Sequence, residues 1–109
     1  MYVPGAVAGS AVALVLLAGC VFDAGKPEVV FENNLSVDVQ VHLDGVEHPA
    51  VIQVSRDGGT NSLPVRDCRG TGIVVETTDG DLVGRVDKPA CVDWRLTVNE
   101  DGSLTYQER

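Results

Sequence analysis

Basic residues are scarce. Eight Lys and Arg face sixteen Asp and Glu, so the formal net charge is −8. A phosphate backbone is held by clustered cations, so this balance argues against nucleic acid as a partner. Aromatic residues are also few, at 5%. With 44% hydrophobic residues the chain is nevertheless too apolar for a disordered acidic tail, and valine, leucine and alanine carry the core. Charge is missing altogether from Met1 to Phe22, which leaves the whole −8 on the remainder. Helical periodicity is missing beyond Pro27. A length of 109 residues fits one domain and excludes a multidomain enzyme.

The uncharged start contains an apolar run, Ala6 to Phe22. A run of this length is a secretory core segment or a short membrane span. Its end, Leu17-Ala18-Gly19-Cys20, resembles the lipobox of bacterial lipoprotein signal peptides. Small residues at Ala18 and Gly19 suit a signal peptidase cleft. The Cys20 thiol is the group that would take a diacylglyceride. Met1 to Gly5, ahead of the run, carry no Lys or Arg, where such leaders usually carry them. The resemblance implies cleavage before Cys20, which leaves 90 residues anchored at the extracytoplasmic face of the cell membrane. It implies three segments: 1–19 as signal peptide, 20–27 as lipidated Cys and tether, and 28–109 as the folded domain. Stable anchoring takes two lipid chains, which a diacylglyceride supplies.

Three cysteines are present, Cys20, Cys68 and Cys91. An odd count in an exported chain needs an explanation. Alkylation of Cys20 leaves Cys68 and Cys91 to pair outside the cytoplasm. Their loop of about 24 residues would contribute on the order of 3 kcal/mol. The alternative is two free buried thiols. Metal ligation is disfavoured, since neither has a second Cys or a His at close spacing.

Beyond Pro27 the apolar period is two. Leu35, Val37, Val39, Val41 and Leu43 alternate with polar residues and predict a half-buried strand. Asp44-Gly45 predicts a two-residue hairpin that sets His42 opposite Glu47, with the apolar face continuing through Ala50, Ile52 and Val54. Asp79-Gly80 predicts a second two-residue hairpin, pairing Thr77 with Leu82, Val75 with Gly84 and Ile73 with Val86. Glu76 and Arg85 then form a diagonal ion pair. A third hairpin turns on Glu100-Asp101-Gly102, with Val98 facing Leu104 and Leu96 facing Tyr106. Short strands near Glu28–Glu32 and Asn61–Arg66, a turn at Asn33-Asn34 and a loop at Arg56–Gly59 complete the series. Pro49 and Pro64 belong at edges or strand starts. Seven or eight strands make an all-β chain, a small antiparallel sandwich of immunoglobulin-like type. The order of Asn33-Asn34, alternating strand, Cys68, Asp-Gly hairpin, Cys91 and Trp94 looks like small envelope lipoproteins of high-GC Gram-positive bacteria. That likeness brings no activity with it.

Chemical motifs are sparse. His42, Glu47 and His48, with Asp44, are weak metal candidates, because the hairpin register sends His48 to the apolar face beside Val41. The acidic turns Asp57, Asp79, Asp81 and Asp101 do not form the converging loop that calcium needs. Ser36, Ser55, Ser62 and Ser103 lack a nucleophile turn, and no glycine-rich loop opens a helix. No catalytic residue and no cofactor is expected. Trp94, three residues after Cys91, reads as a core indole against the disulfide, or as a ligand platform where exposed. The sequence therefore points to a membrane-anchored envelope protein with a non-catalytic binding or accessory role. Its partner would be another envelope protein or an extracellular polymer. The rival reading is a metal scavenger built on the His42–His48 turn.

Overall fold

A computed structural model describes residues 26–109. Ten strands and no helix occur among them: β1 Glu28–Asn33, β2 Val39–Asp44, β3 Ile52–Val54, β4 Gly59–Pro64, β5 Cys68–Arg69, β6 Gly72–Thr77, β7 Leu82–Val86, β8 Ala90–Cys91, β9 Trp94–Val98 and β10 Leu104–Glu108. Two four-stranded sheets, in the orders β10-β9-β1-β4 and β3-β2-β6-β7, pack face to face as a sandwich. β5 and β8 form a separate ribbon. The sheets thus account for eight strands, the upper end of the expected number. The ribbon adds two. Among the described residues no helix is long and apolar enough to cross a membrane.

Alternation builds the core. Val29 and Phe31 of β1, Leu63 of β4, and Leu96 and Val98 of β9 meet Val39, Val41 and Leu43 of β2, Val54 of β3, and Ile73 and Val75 of β6. Every second residue of a strand points inward, so each sheet offers one apolar face to the other. Pro64 ends β4, an edge strand, where its missing N–H interrupts no inner ladder. β1 pairs antiparallel with β4 and parallel with β9.

The hairpins test the register. The third is as expected: Leu104 lies opposite Val98 and Tyr106 opposite Leu96, with Gly102 at φ 88°. The second keeps the expected pairs Ile73–Val86 and Val75–Gly84. Near its tip a bulge shifts the register, and Leu82 faces Glu76 rather than Thr77. The cause is a three-residue loop. The Thr77 N–H donates to Asp81 O, and the Gly80 N–H donates to Thr77 O. The third hairpin has the same bonds at Asn99, Gly102 and Ser103. Both loops therefore place glycine at the left-handed position, the usual solution for this loop length.

The first hairpin departs most. Asp44-Gly45 does not close a two-residue turn, and Val41 pairs with Ile52 rather than with His48. Asp44 stays in the ladder opposite Gly72, and its carbonyl accepts the Thr71 N–H at 2.9 Å. The chain then leaves the sheet through Gly45 at φ 74° and returns only at Ile52. The strand also starts later than its alternation suggests. The Asn33 side chain captures the backbone of Leu35 and Val37. Asn33 Oδ1 accepts from the Leu35 N–H at 3.0 Å, and its amide donates to Val37 O at 2.8 Å.

Candidate functional site

The two ribbon strands put Cys68 directly opposite Cys91, with Cα atoms 4.0 Å apart, and the two are disulfide-bonded. The Val92 N–H donates to Asp67 O at 2.8 Å, tying the ribbon beyond the bridge. Directly after the ribbon, β9 begins with Trp94 on the inward-facing side, but at the open end of the sandwich. The indole is therefore half-buried, neither a full core residue nor a free platform. Its ring packs on Tyr106 with centroids 4.7 Å apart and planes tilted by 40°, an arrangement aromatic pairs favour.

Trp94 faces Glu108 and Leu96 faces Tyr106, so Trp94 and Tyr106 are diagonal neighbours across the β9–β10 pair. The Tyr106 hydroxyl donates to Pro89 O at 2.8 Å and accepts from the Cys91 N–H at 2.9 Å. Burial pushes the phenol above its ordinary value, and the Cys91 N–H bond pulls the other way. Lys88, Pro89, Cys91, Trp94 and Tyr106 line a shallow cleft of about 180 Å³ with an apolar wall. Pockets for drug-sized ligands run from about 300 Å³. This one matches a single side chain or the end of a lipid better.

The His42–His48 turn assembles no site. His42 is half-buried on the outer face of β2, with Nε2 3.5 Å from Glu76 Oε1, not beside Glu47. Glu47 and His48 are both exposed in the loop before β3, which corrects the expected placement of His48 against Val41. The early exit of the chain at Gly45 separates them. Among the described residues no group of three or more His, Cys, Asp or Glu is placed to hold a metal ion. Arg85 does not pair with Glu76. It contacts Asp87 at 2.7 Å and also Asp44, and these hydrogen bonds raise its pKa further. Glu76 instead lies near Gln40, at 3.4 Å, and His42.

At the opposite end lie the acidic turns. Asp38 accepts the Arg56 N–H at 2.9 Å and lies 3.6 Å from its guanidinium. Asp101 accepts both the N–H and the hydroxyl of Ser103, which hold its carboxyl below the usual range. These bonds serve the turns themselves. Cys20, the expected lipidation site, lies outside the described residues. Sequence reasoning placed Cys68, Cys91 and Trp94 at this end but missed Tyr106, Pro89 and Lys88. The signal for Tyr106 was in the third hairpin's register, which sets it diagonal to Trp94. No family model matches the chain, and neither a curated protein nor a solved structure gives a match.

Proposed function

We propose that the chain is a lipid-anchored, extracytoplasmic binding module without catalytic activity. The observation that carries the anchor is Leu17-Ala18-Gly19-Cys20 closing an uncharged apolar run. Two further features support it. A disulfide such as Cys68–Cys91 persists in an oxidising, exported compartment. The body beyond residue 27 is a sandwich, a scaffold that hosts binding roles of many kinds. Its acidic turns suit a cationic partner, either an envelope protein or an extracellular polymer.

The anchor is tested by expressing the full chain in a bacterial host that processes lipoproteins. The membrane fraction should yield a protein beginning at Cys20 and heavier by a diacylglyceryl group. Cys20→Ala should leave the membrane fraction or accumulate uncleaved. Identical mass and fractionation for both forms would overturn the reading.

A further inference from the structure

Two half-buried rings, Trp94 and Tyr106, form one wall of the cleft at the ribbon end, and Lys88, Pro89 and Cys91 complete it. Protein interiors leave few voids larger than a water molecule, so an apolar cleft of about 180 Å³ gains by taking up an apolar group. Its size favours a ring. An apolar cavity of about 150 Å³ is large enough to bind benzene. Charge does not choose the occupant. Lys88 lies on the rim, Glu108 is opposite Trp94, and Glu28 and Asp93 lie close by, so neither an anion nor a cation has an advantage. A second copy of the chain would need roughly 1,000 Å² of contact, whereas this cleft seats one side chain.

The chain itself brings a ring to this place. It enters the sandwich beside the cleft: Pro27 O accepts the Val65 N–H at 3.1 Å, and Glu28 O accepts the Asp93 N–H at 3.0 Å. Asp93 directly precedes Trp94. Of the two phenylalanines, Phe31 is buried in the core. The other, Phe22, lies outside the described residues, six positions before Glu28. At about 3.6 Å per residue its reach from Glu28 is at most roughly 20 Å, which covers the diagonal pair Trp94 and Tyr106. Residues 23–25 alone separate it from Lys26, so closure orders few residues.

We infer that the Phe22 side chain seats in the Trp94–Tyr106 cleft, so that the segment before Lys26 straps the ribbon end of the body. A third ring there packs tilted or offset against the other two, the arrangement aromatic groups favour. The strap needs no lipid at Cys20. Its consequence for the envelope does rest on that anchor. Phe22 is two residues from Cys20, at most about 7 Å of chain, so a seated Phe22 holds the Trp94 end of the body against the bilayer. The acidic turns at the opposite end then face away from the membrane, toward a partner.

Trp94 is the sole tryptophan and reports on the cleft directly. The full chain, expressed in a lipoprotein-processing host, is placed in phosphatidylcholine vesicles. Phe22→Ser should move Trp94 emission to longer wavelength and raise its quenching by acrylamide. Phe22→Leu, which keeps an apolar side chain, should restore most of the protection. Val21→Ser, one residue away, should behave as the wild type. Circular dichroism checks that each variant is folded. Unchanged emission and quenching in Phe22→Ser would overturn the strap. An equal response from Val21→Ser would also overturn it, tracing the effect to contact of the whole segment with the bilayer. Strong quenching of Trp94 by brominated acyl chains in the unaltered protein would give the cleft to a lipid chain instead. The mass of the same preparation reports the state of Cys20. A lipidated chain whose Trp94 ignores Phe22→Ser keeps the anchor and loses the strap, and an unlipidated chain whose Trp94 responds keeps the strap and loses the anchor.

Discussion

The Tyr106 hydroxyl bridges the ribbon to β10, accepting from the Cys91 N–H at 2.9 Å and donating to Pro89 O at 2.8 Å. One side chain therefore satisfies a donor and an acceptor beside the disulfide, while its ring supports Trp94. Tyr106→Phe keeps the ring and deletes the bridge. Leaving two partly buried backbone groups unpaired should cost about 1–3 kcal/mol in denaturant unfolding. Trp94 emission should change little, because the ring contact survives. A loss below about 0.5 kcal/mol would show that water replaces the hydroxyl without penalty.

The same phenol makes stability depend on alkaline pH. Burial raises its pKa in the folded state above the ordinary value near 10. Above pH 10 the unfolded chain releases the proton while the folded chain retains it, so folding is disfavoured as pH rises. The Tyr106 contribution should be fully present and independent of pH below the unfolded value, and it should be lost as pH climbs through the folded one. The measurement is unfolding free energy from pH 8 to 11.5 for the wild type and Tyr106→Phe. Tyr2, the other tyrosine, is common to both. A difference that stays constant across the range would refute the linkage.

Reduction of the Cys68–Cys91 bridge should lower stability by about 2–4 kcal/mol, since it closes a loop with a sequence separation of 23. Alkylation of the unreduced protein should leave both thiols unmodified. Equal thermal midpoints with and without reductant would mean that the neighbouring backbone bonds alone hold the ribbon.

Where strand patterning and turn chemistry agree, the fold could be read before it was seen. Val98 opposite Leu104 and Ile73 opposite Val86 follow from alternation plus a glycine in the loop. The reading failed where side chains compete with the ladder for backbone groups. Leu35 and Val37 alternate like strand residues, yet Asn33 takes the backbone of both. Asp44-Gly45 looks like a hairpin pair, yet Asp44 belongs to the β6 ladder. The candidate site divides the same way. Cysteine counting found the bridge, whereas the Tyr106 bonds to Pro89 O and the Cys91 N–H depend on the ribbon. Two-residue strands carry too little periodicity to announce one.

Gly80 and Gly102 isolate the cost of left-handed backbone. Their φ angles are 92° and 88°, and a Cβ built on either meets no atom within 4 Å. Substitution by alanine therefore introduces strain without a clash. Each variant should lose about 1 kcal/mol by thermal or denaturant unfolding. The two loops are separate and share their hydrogen-bond pattern, so the double variant should lose nearly the sum. A stabilised Gly80→Ala would contradict the three-residue loop.

Asn33 is the one fully buried polar side chain among the described residues. Its amide donates to Val37 O at 2.8 Å and Val54 O at 3.2 Å, and its carbonyl accepts from the Leu35 N–H at 3.0 Å. These bonds join the end of β1 to the following turn and to β3 in the opposite sheet. Burial without partners would be costly, so the network must be complete or absent. Asn33→Ala leaves three backbone groups unpaired and should cost about 2–4 kcal/mol. Asn33→Asp should be worse at neutral pH, because a carboxylate oxygen then faces the Val37 and Val54 carbonyls where an amide donated. Lowering the pH toward 4 should narrow the gap between the two variants, since a protonated carboxyl regains one donor. Denaturant unfolding of both variants at pH 7 and pH 4 decides it. An aspartate variant as stable as wild type at pH 7 would mean that Asn33 is not locked between the sheets in this way.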